Sequence, residues 1–369
     1  MKYAASILVL PFCCLVFTAQ EGLARRSKVV PEILVEARVV GIDVREPGGR
    51  IQAQLEIQHV YVGPADLKGA LFSVRTTKSG MGSNRLHPAP KENEVGIWAL
   101  HKKEDGTLVS AGRGYYRLYT GLGLPSRRGV WPRYEQTRIL AERIEKIMAA
   151  PAEERWTIAQ GYTRDPIPEV AAWAVHFARE LGGPDVVEFI RDLAKDETLG
   201  ILVQVSIDEV LFKIDPDWGQ SKDRWAMFDR WVTKDYSDDP YVGRIRNRLD
   251  LASQHGGLDS ALLLILLERA FKAKTLPASV LRNCGRLIGY ASTRSGDAAA
   301  SYDLLIKLIT QDSSQDVRLD CARALKNYIA LSPKLIKNLK SIVESITDQK
   351  VKDVLLSAIN DAEKGSDPP

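Results

Sequence analysis

From Ile51 to Val62 the chain alternates apolar and polar residues. Ile51, Ala53, Leu55 and Ile57 fall on one side, and Gln52, Gln54, Glu56 and Gln58 on the other. A period of two marks a strand with one buried face. The alternation slips at His59-Val60-Tyr61-Val62, which predicts a bulge or barrel bend, and Gly63-Pro64 closes the run. Strand formers over Ile33 to Val44, Ala70 to Thr77, Val95 to Lys102, Thr107 to Ala111 and Tyr115 to Thr120 predict five more strands. Glu46-Pro-Gly-Gly49 and Asp105-Gly106 supply turns. The pattern changes past Gly121-Leu-Gly-Leu-Pro-Ser-Arg-Arg-Gly129. From Pro132 onward, apolar positions recur at helical spacing between Gly, Pro and Asp breaks.

The helical part repeats itself. Val317-Arg-Leu-Asp-Cys-Ala-Arg-Ala-Leu325 is echoed 37 positions upstream by Val280-Leu-Arg-Asn-Cys-Gly-Arg-Leu-Ile288. Val280 matches Val317, Asn283 matches Asp320, Cys284 matches Cys321, Arg286 matches Arg323, and Ile288 matches Leu325. Taking Cys321 as the reference position, its counterparts are Ala174, Ser206, Arg246, Cys284 and Leu355, at steps of 32, 40, 38, 37 and 34 residues. Each step has the length of one helical hairpin, and self-similarity at such a period is the mark of a stacked array. A lone amphipathic hairpin cannot bury its apolar face, whereas stacked hairpins bury one another. The last helix, from Asp348 to Ala362, is the expected cap.

These residues resemble a known repeat. Asp312-Ser-Ser-Gln-Asp-Val-Arg-Leu-Asp-Cys-Ala-Arg-Ala-Leu325 looks like a HEAT repeat, and Asp165-Pro-Ile-Pro-Glu-Val170 with Ala171, Ala172 and Ala174 looks like a second copy. The resemblance implies that Val317, Ala324 and Leu325 pack between layers and that Arg318 reaches a turn acid, Asp312 or Asp316. The strand region is similar in layout to the oligonucleotide/oligosaccharide-binding (OB) barrel and, more loosely, to the netrin-like domain, though it lacks that domain's cysteines. The expected fold is therefore multidomain α+β. A small OB-like β-barrel over 29–120 and a linker over 121–131 precede a right-handed α-solenoid of about six HEAT-like helix pairs over 132–363, and 364–369 form a disordered tail.

Residues 1–24 read as a secretory leader. Lys2 precedes the apolar stretch Ala4 to Thr18, and Gly22-Leu-Ala24 offers small residues for cleavage. The stretch is shorter than a spanning helix needs. Export to the periplasm or medium follows, with a lipid anchor on Cys13 as the alternative. No stable membrane insertion is expected. Removing the leader leaves Cys284 and Cys321, expected as buried free thiols, because packed helix axes lie roughly 8–10 Å apart and a disulfide needs Cα atoms within about 7 Å. A net charge of +4 is too small to call for nucleic acid.

No metal-ligand spacing, phosphate loop or nucleophile motif stands out, so neither a cofactor, a metal nor catalysis is expected. The stretch from Asp215 to Tyr241 is rich in aromatics and aspartates. A calcium loop through Asp215, Asp217 and Asp223 would need an acid where Ala226 stands. Trp225, Phe228 and Val232 share one helical face and belong to a core. Trp218 and Tyr236, at loop positions, are the candidate binding aromatics, and flanking acids would suit a basic protein segment. Arg85 and His87, in the long polar loop from Ser79 to Asn93, are the other candidate contacts. His176 reads as a packing residue. The function expected is that of an exported, non-catalytic scaffold holding a protein or peptide on the concave face of the array. The alternative is a carbohydrate or small ligand held by the β domain, with the array as a spacer. Helical-repeat lyases of tetrapyrrole attachment share the repeat type, an analogy of fold alone.

Overall fold

A computed structural model describes residues 31–45, 50–77, 92–110, 134–181, 183–236, 238–254, 260–273, 281, 285–289, 298–311, 314–329 and 331–365. The leader with Cys13, the strand expected at 115–120, the linker 121–131, Arg85, His87, Val280 and Cys284 lie outside these residues. The chain forms two compact units that divide between Pro151 and Ala152.

In the first unit, strands β1 (Ile33–Arg45), β2 (Arg50–Val62), β3 (Leu71–Thr77), β4 (Val95–Lys102) and β5 (Leu108–Ser110) form one antiparallel sheet in the order β3-β2-β1-β4-β5. The alternating residues behave as their pattern demands: Ala53, Leu55 and Ile57 are buried with Val35, Ala37, Val39, Phe72, Trp98 and Leu100. Phe72 meets Trp98 edge-on, with ring centroids 5.7 Å apart. The β1–β2 register shifts where the alternation slips, so that Val35 pairs with Val60 and Ala37 with Ile57. Two extra β2 residues bulge there, one of them Tyr61, whose hydroxyl donates to Glu36 at 3.2 Å. Asp105-Gly106 turns β4 into β5. Gly106 takes φ +82°, and the Thr107 N–H donates to Asp105 Oδ1 at 2.9 Å. The outer strands β3 and β5 approach each other without a ladder among the described residues. Helix α1 (Tyr134–Ala149) packs on β2 and β4 and belongs to this unit, although its helical pattern reads as the start of the array.

The second unit is helical. Its elements are α2 (Arg155–Tyr162), α3 (Pro168–Leu181), α4 (Pro184–Ala194), α5 (Ile201–Ile214), α6 (Lys222–Thr233), α7 (Gly243–Gln254), α8 (Ser260–Ala273), α9 (Ala298–Gln311), α10 (Gln315–Tyr328), α11 (Pro333–Ser345) and α12 (Gln349–Gly365), with residues 285–289 also helical. Local chemistry sets several starts. Ser221, Ser314 and Ser332 accept the N–H three residues on, and Pro184 and Pro333 occupy the first turn, where a missing N–H costs nothing. Lys364 and Gly365, expected in the tail, complete α12.

Helices touch their next-but-one neighbours: α3 meets α5, α5 meets α7, α4 meets α6, α6 meets α8, and α10 meets α12. Polar contacts accordingly join residues about one hairpin apart. Arg164 pairs with Asp196 at a separation of 32 residues, Lys234 reaches the Glu197 carbonyl at 37, Asp239 accepts the Ile201 N–H at 38, and Lys307 pairs with Glu268 at 39. Arg318 reaches Asp348, in the turn that opens α12, at 3.4 Å. The described counterparts Ala174, Ser206, Cys321 and Leu355 are all buried. A Cβ placed on Gly285 would lie 3.1 Å from Cys321 Sγ and 3.2 Å from its Cα, so the glycine permits a backbone approach closer than ordinary helix packing. Cys321 is buried, as expected.

Candidate functional site

Helices α3 and α5 carry little amphipathic pattern through their middles, and the fold explains why. Residues 169–178 of α3 and most of α5 are buried on every side. The polar groups they carry must therefore find partners inside the protein. Asp208 on α5 is wholly buried. Its Oδ1 accepts the Trp218 indole N–H at 2.8 Å and the Arg224 Nε–H at 2.7 Å. Its Oδ2 accepts from Arg248 Nε, and its carbonyl accepts from Arg248 Nη2 at 3.3 Å. Arg224 also donates to the Gly219 carbonyl at 3.1 Å. One carboxylate thus ties α5, α6, α7 and the turn at 218–220 together, and the enclosed charge is two cations against one anion.

The guanidiniums also stack on Phe212, one turn further along α5. Arg224 Cζ lies 4.9 Å and Arg248 Cζ 5.7 Å from its ring centroid. Phe212 is 39% exposed and is the only aromatic among the large exposed apolar side chains of the described residues. A cation held over an aromatic face is attracted to its quadrupole, more strongly when desolvated.

A second set of contacts crosses the same helices. The Tyr241 hydroxyl donates to Glu169 Oε1, joining the start of α3 to the residues just before α7. Burial first, and then this bond to a carboxylate, push the tyrosine ionisation far above its usual range. Further along, His176 Nε2 lies 3.6 Å from Glu209. Burial, followed by Arg179, Lys213, Arg244 and Arg248, brings His176 down to about 3, so the ring is neutral at physiological pH. Asp239 and Tyr241 meet the first turns of α5 and α3, while Arg248 meets Asp208 further along. Helices α3, α5 and α7 therefore run in one direction and present one continuous strip.

The candidate aromatics of the sequence lie inside. Trp218 is fully buried by its bond to Asp208. Tyr236 is 7% exposed, with its hydroxyl 3.4 Å from Gln204 Nε2. Neither ring is offered at the surface, because each indole or phenol serves a buried polar partner. Phe228 and Val232 are core as expected, and Trp225 is half-buried. Asp215 is taken up by a two-pronged Arg191 contact at 2.5 and 2.7 Å, which holds its carboxyl below the usual range. Among the described residues no three His, Cys, Asp or Glu side chains gather to hold a metal, and no helix is long and apolar enough to cross a membrane.

No protein-family model, no curated protein and no solved structure matches this chain.

Proposed function

We propose that the protein is an exported, non-catalytic scaffold that holds a protein partner on a HEAT-like helical array. The observation that carries this reading is the periodic stacking. Next-but-one helices touch, and polar contacts recur between residues 30 to 40 positions apart. An array built this way offers extended surface rather than one closed cavity. Asp208 supports a structural rather than a reactive role, since three donors already fill its carboxylate. On this reading the second unit is an α-solenoid. The first unit is an OB-like barrel, consistent with the approach of β3 to β5. The leader at 1–24 takes the chain out of the cytoplasm.

The test is affinity capture with the intact chain from the native envelope or medium, followed by a glycan array with the same preparation. The scaffold reading expects a polypeptide partner in near-equal amount. Binding to glycans with no polypeptide captured would overturn it and favour a ligand role for the β unit.

A further inference from the structure

We infer that the partner crosses the α2–α4–α6–α8 row as an extended polyproline II segment, with an apolar side chain at every third residue and a basic end over the acids of α2 and α4. This rests on the scaffold reading and specifies the chemistry of its partner.

An apolar ladder carries the first half of this inference. The Trp156 ring of α2 meets Phe189 of α4 edge-on, with centroids 5.5 Å apart. Arg230 of α6 donates to the Ala194 carbonyl at a separation of 36 residues, and the same step takes Phe189 to Trp225. Arg269 of α8 pairs with Asp229 at a separation of 40 residues, and that step takes Trp225 to Ile265. Trp156, Phe189 and Trp225 are half-buried and Ile265 is 53% exposed, so each helix of the row keeps one apolar side chain partly in water. The next step, 39 residues from Glu268 to Lys307, leads to Leu304, which is buried and ends the ladder. Adjacent packed helices stand roughly 8–10 Å apart. A polyproline II chain repeats every three residues and about 9.3 Å, which matches one rung. Side chains on one face of a strand recur at about 6.6 Å and miss the rungs. An α-helix, with a pitch of about 5.4 Å, meets a rung only at every second turn.

Charge sets the direction of the segment. Residues 151–200 hold ten acids against five bases, in a chain whose net charge is +4. Glu153 and Glu154, in the turn that opens α2, and Asp185 and Glu188 on α4 are exposed, and no side-chain hydrogen bond or ion pair among the described residues engages them. The Trp156–Phe189 contact and the Arg164–Asp196 pair, 32 residues apart, set α2 and α4 parallel, so these four acids gather at one end of the first two rungs. The cations of α2 and α4 are committed. Arg191 holds Asp215, Lys195 holds Asp192, Arg164 holds Asp196, and Arg155 has contacts of its own. Lys222, exposed at the start of α6, marks where the acidic stretch ends. Acids at helix starts also complement the helix dipole, which accounts for Glu153, Glu154 and Asp185 singly. It does not account for Glu188, in the middle of α4. Aromatic rungs beside uncommitted carboxylates complement a segment with Lys or Arg at that end, and aromatic-lined grooves are a recurrent seat of polyproline II ligands.

The experiment selects a phage-displayed random library of about 12-residue peptides on the immobilised intact chain, a length that covers all four rungs at about 3.1 Å per residue. The enriched peptides are then titrated against the wild-type chain, Ile265→Ser, and the charge reversal Asp185→Lys with Glu188→Lys. All three side chains are exposed, and unchanged helical content and melting of the variants separate lost binding from lost folding. The expected result is a consensus with apolar or proline residues at every third position and Lys or Arg at one end. Affinity should fall at least ~10-fold in the charge reversal and ~3-fold in Ile265→Ser, and should weaken as salt is added. A consensus of period two or of helical period, an acidic or uncharged consensus, no enrichment, or equal affinity for the variants would overturn the proposal. Self-association of the wild-type chain that both variants abolish would also overturn it, by seating a second copy on the ladder. A captured polypeptide that binds both variants as well as wild type would remove this docking surface and leave the scaffold reading intact, whereas no polypeptide capture at all would remove the scaffold reading itself.

Discussion

Asp208→Asn tests the central structural claim with almost no change in shape. The amide keeps an oxygen that can still accept from Trp218 or Arg224, so packing is preserved and the charge alone is lost. Arg224 is fully buried and Arg248 nearly so, and each then lacks its counter-ion. Removing one partner of a buried ion pair costs about 3–5 kcal/mol, because the remaining charge stays desolvated. Against a total stability of about 5–15 kcal/mol for a typical domain, that loss would move the denaturation midpoint substantially. Urea unfolding of the intact chain followed by tryptophan emission is a suitable assay, since Trp156, Trp173, Trp218, Trp225 and Trp231 all belong to the second unit. The internal control is Asp320→Asn, which removes the half-buried partner of the exposed Arg323. Exposed pairs contribute about 0–1 kcal/mol and fade with salt. Converting the whole cluster together, Asp208→Leu with Arg224→Met and Arg248→Met, should recover most of the loss, because no charge is left stranded. If Asp208→Asn costs no more than the Asp320 control, the cluster is not the buried clamp described here.

Three further outcomes follow from the same coordinates. Gly285→Ala should destabilise the second unit by about 1–3 kcal/mol through overpacking. Cys321→Ala should relieve it only in part, since the new methyl also meets the Cys321 backbone; full rescue in thermal melts would refute the close approach. Tyr241→Phe should cost about 1–3 kcal/mol by leaving buried Glu169 without its hydroxyl donor, and Tyr241→Phe with Glu169→Leu should cost less than Tyr241→Phe alone. His176 is brought down from 6.5 to about 3 in the folded chain, so the unfolded chain binds the extra proton between those values. Its contribution is fully present above pH 6.5 and is lost as pH falls towards 3, by up to ~1.4 kcal/mol per pH unit. His176→Gln should flatten that part of the stability–pH curve, and an unchanged slope would show that the ring is not buried neutral.

Much of the fold was legible because its signals are local. The alternation at Ile51–Ile57 and its slip at His59 foretold β2 and its bulge, since strand side chains must alternate between a buried and a wet face. The step of 40 residues from Ser206 to Arg246 even carried the register, because Asp208 and Arg248 lie two places further on and meet. Which aromatic side chain stays exposed was not legible. From the sequence, Trp218 and Tyr236 stand in loops among aspartates, while Phe212 lies in the last turn of a helix whose polar residues Gln204, Ser206 and Asp208 are themselves buried. Exposure depends on what packs above a residue, and a helix buried on most sides gives no pattern to show which side is open.

The sequence by itself determined the secondary structure, the change from strands to helices and the repeat length, because each depends on neighbours a few residues apart or on a fixed period. Only the tertiary structure decided that α1 packs on the sheet. It alone closed two arginines onto Asp208 from 16 and 40 residues away, and it left Phe212 uncovered. Those outcomes depend on the distance between helices once stacked, which the order of residues along any one helix does not contain.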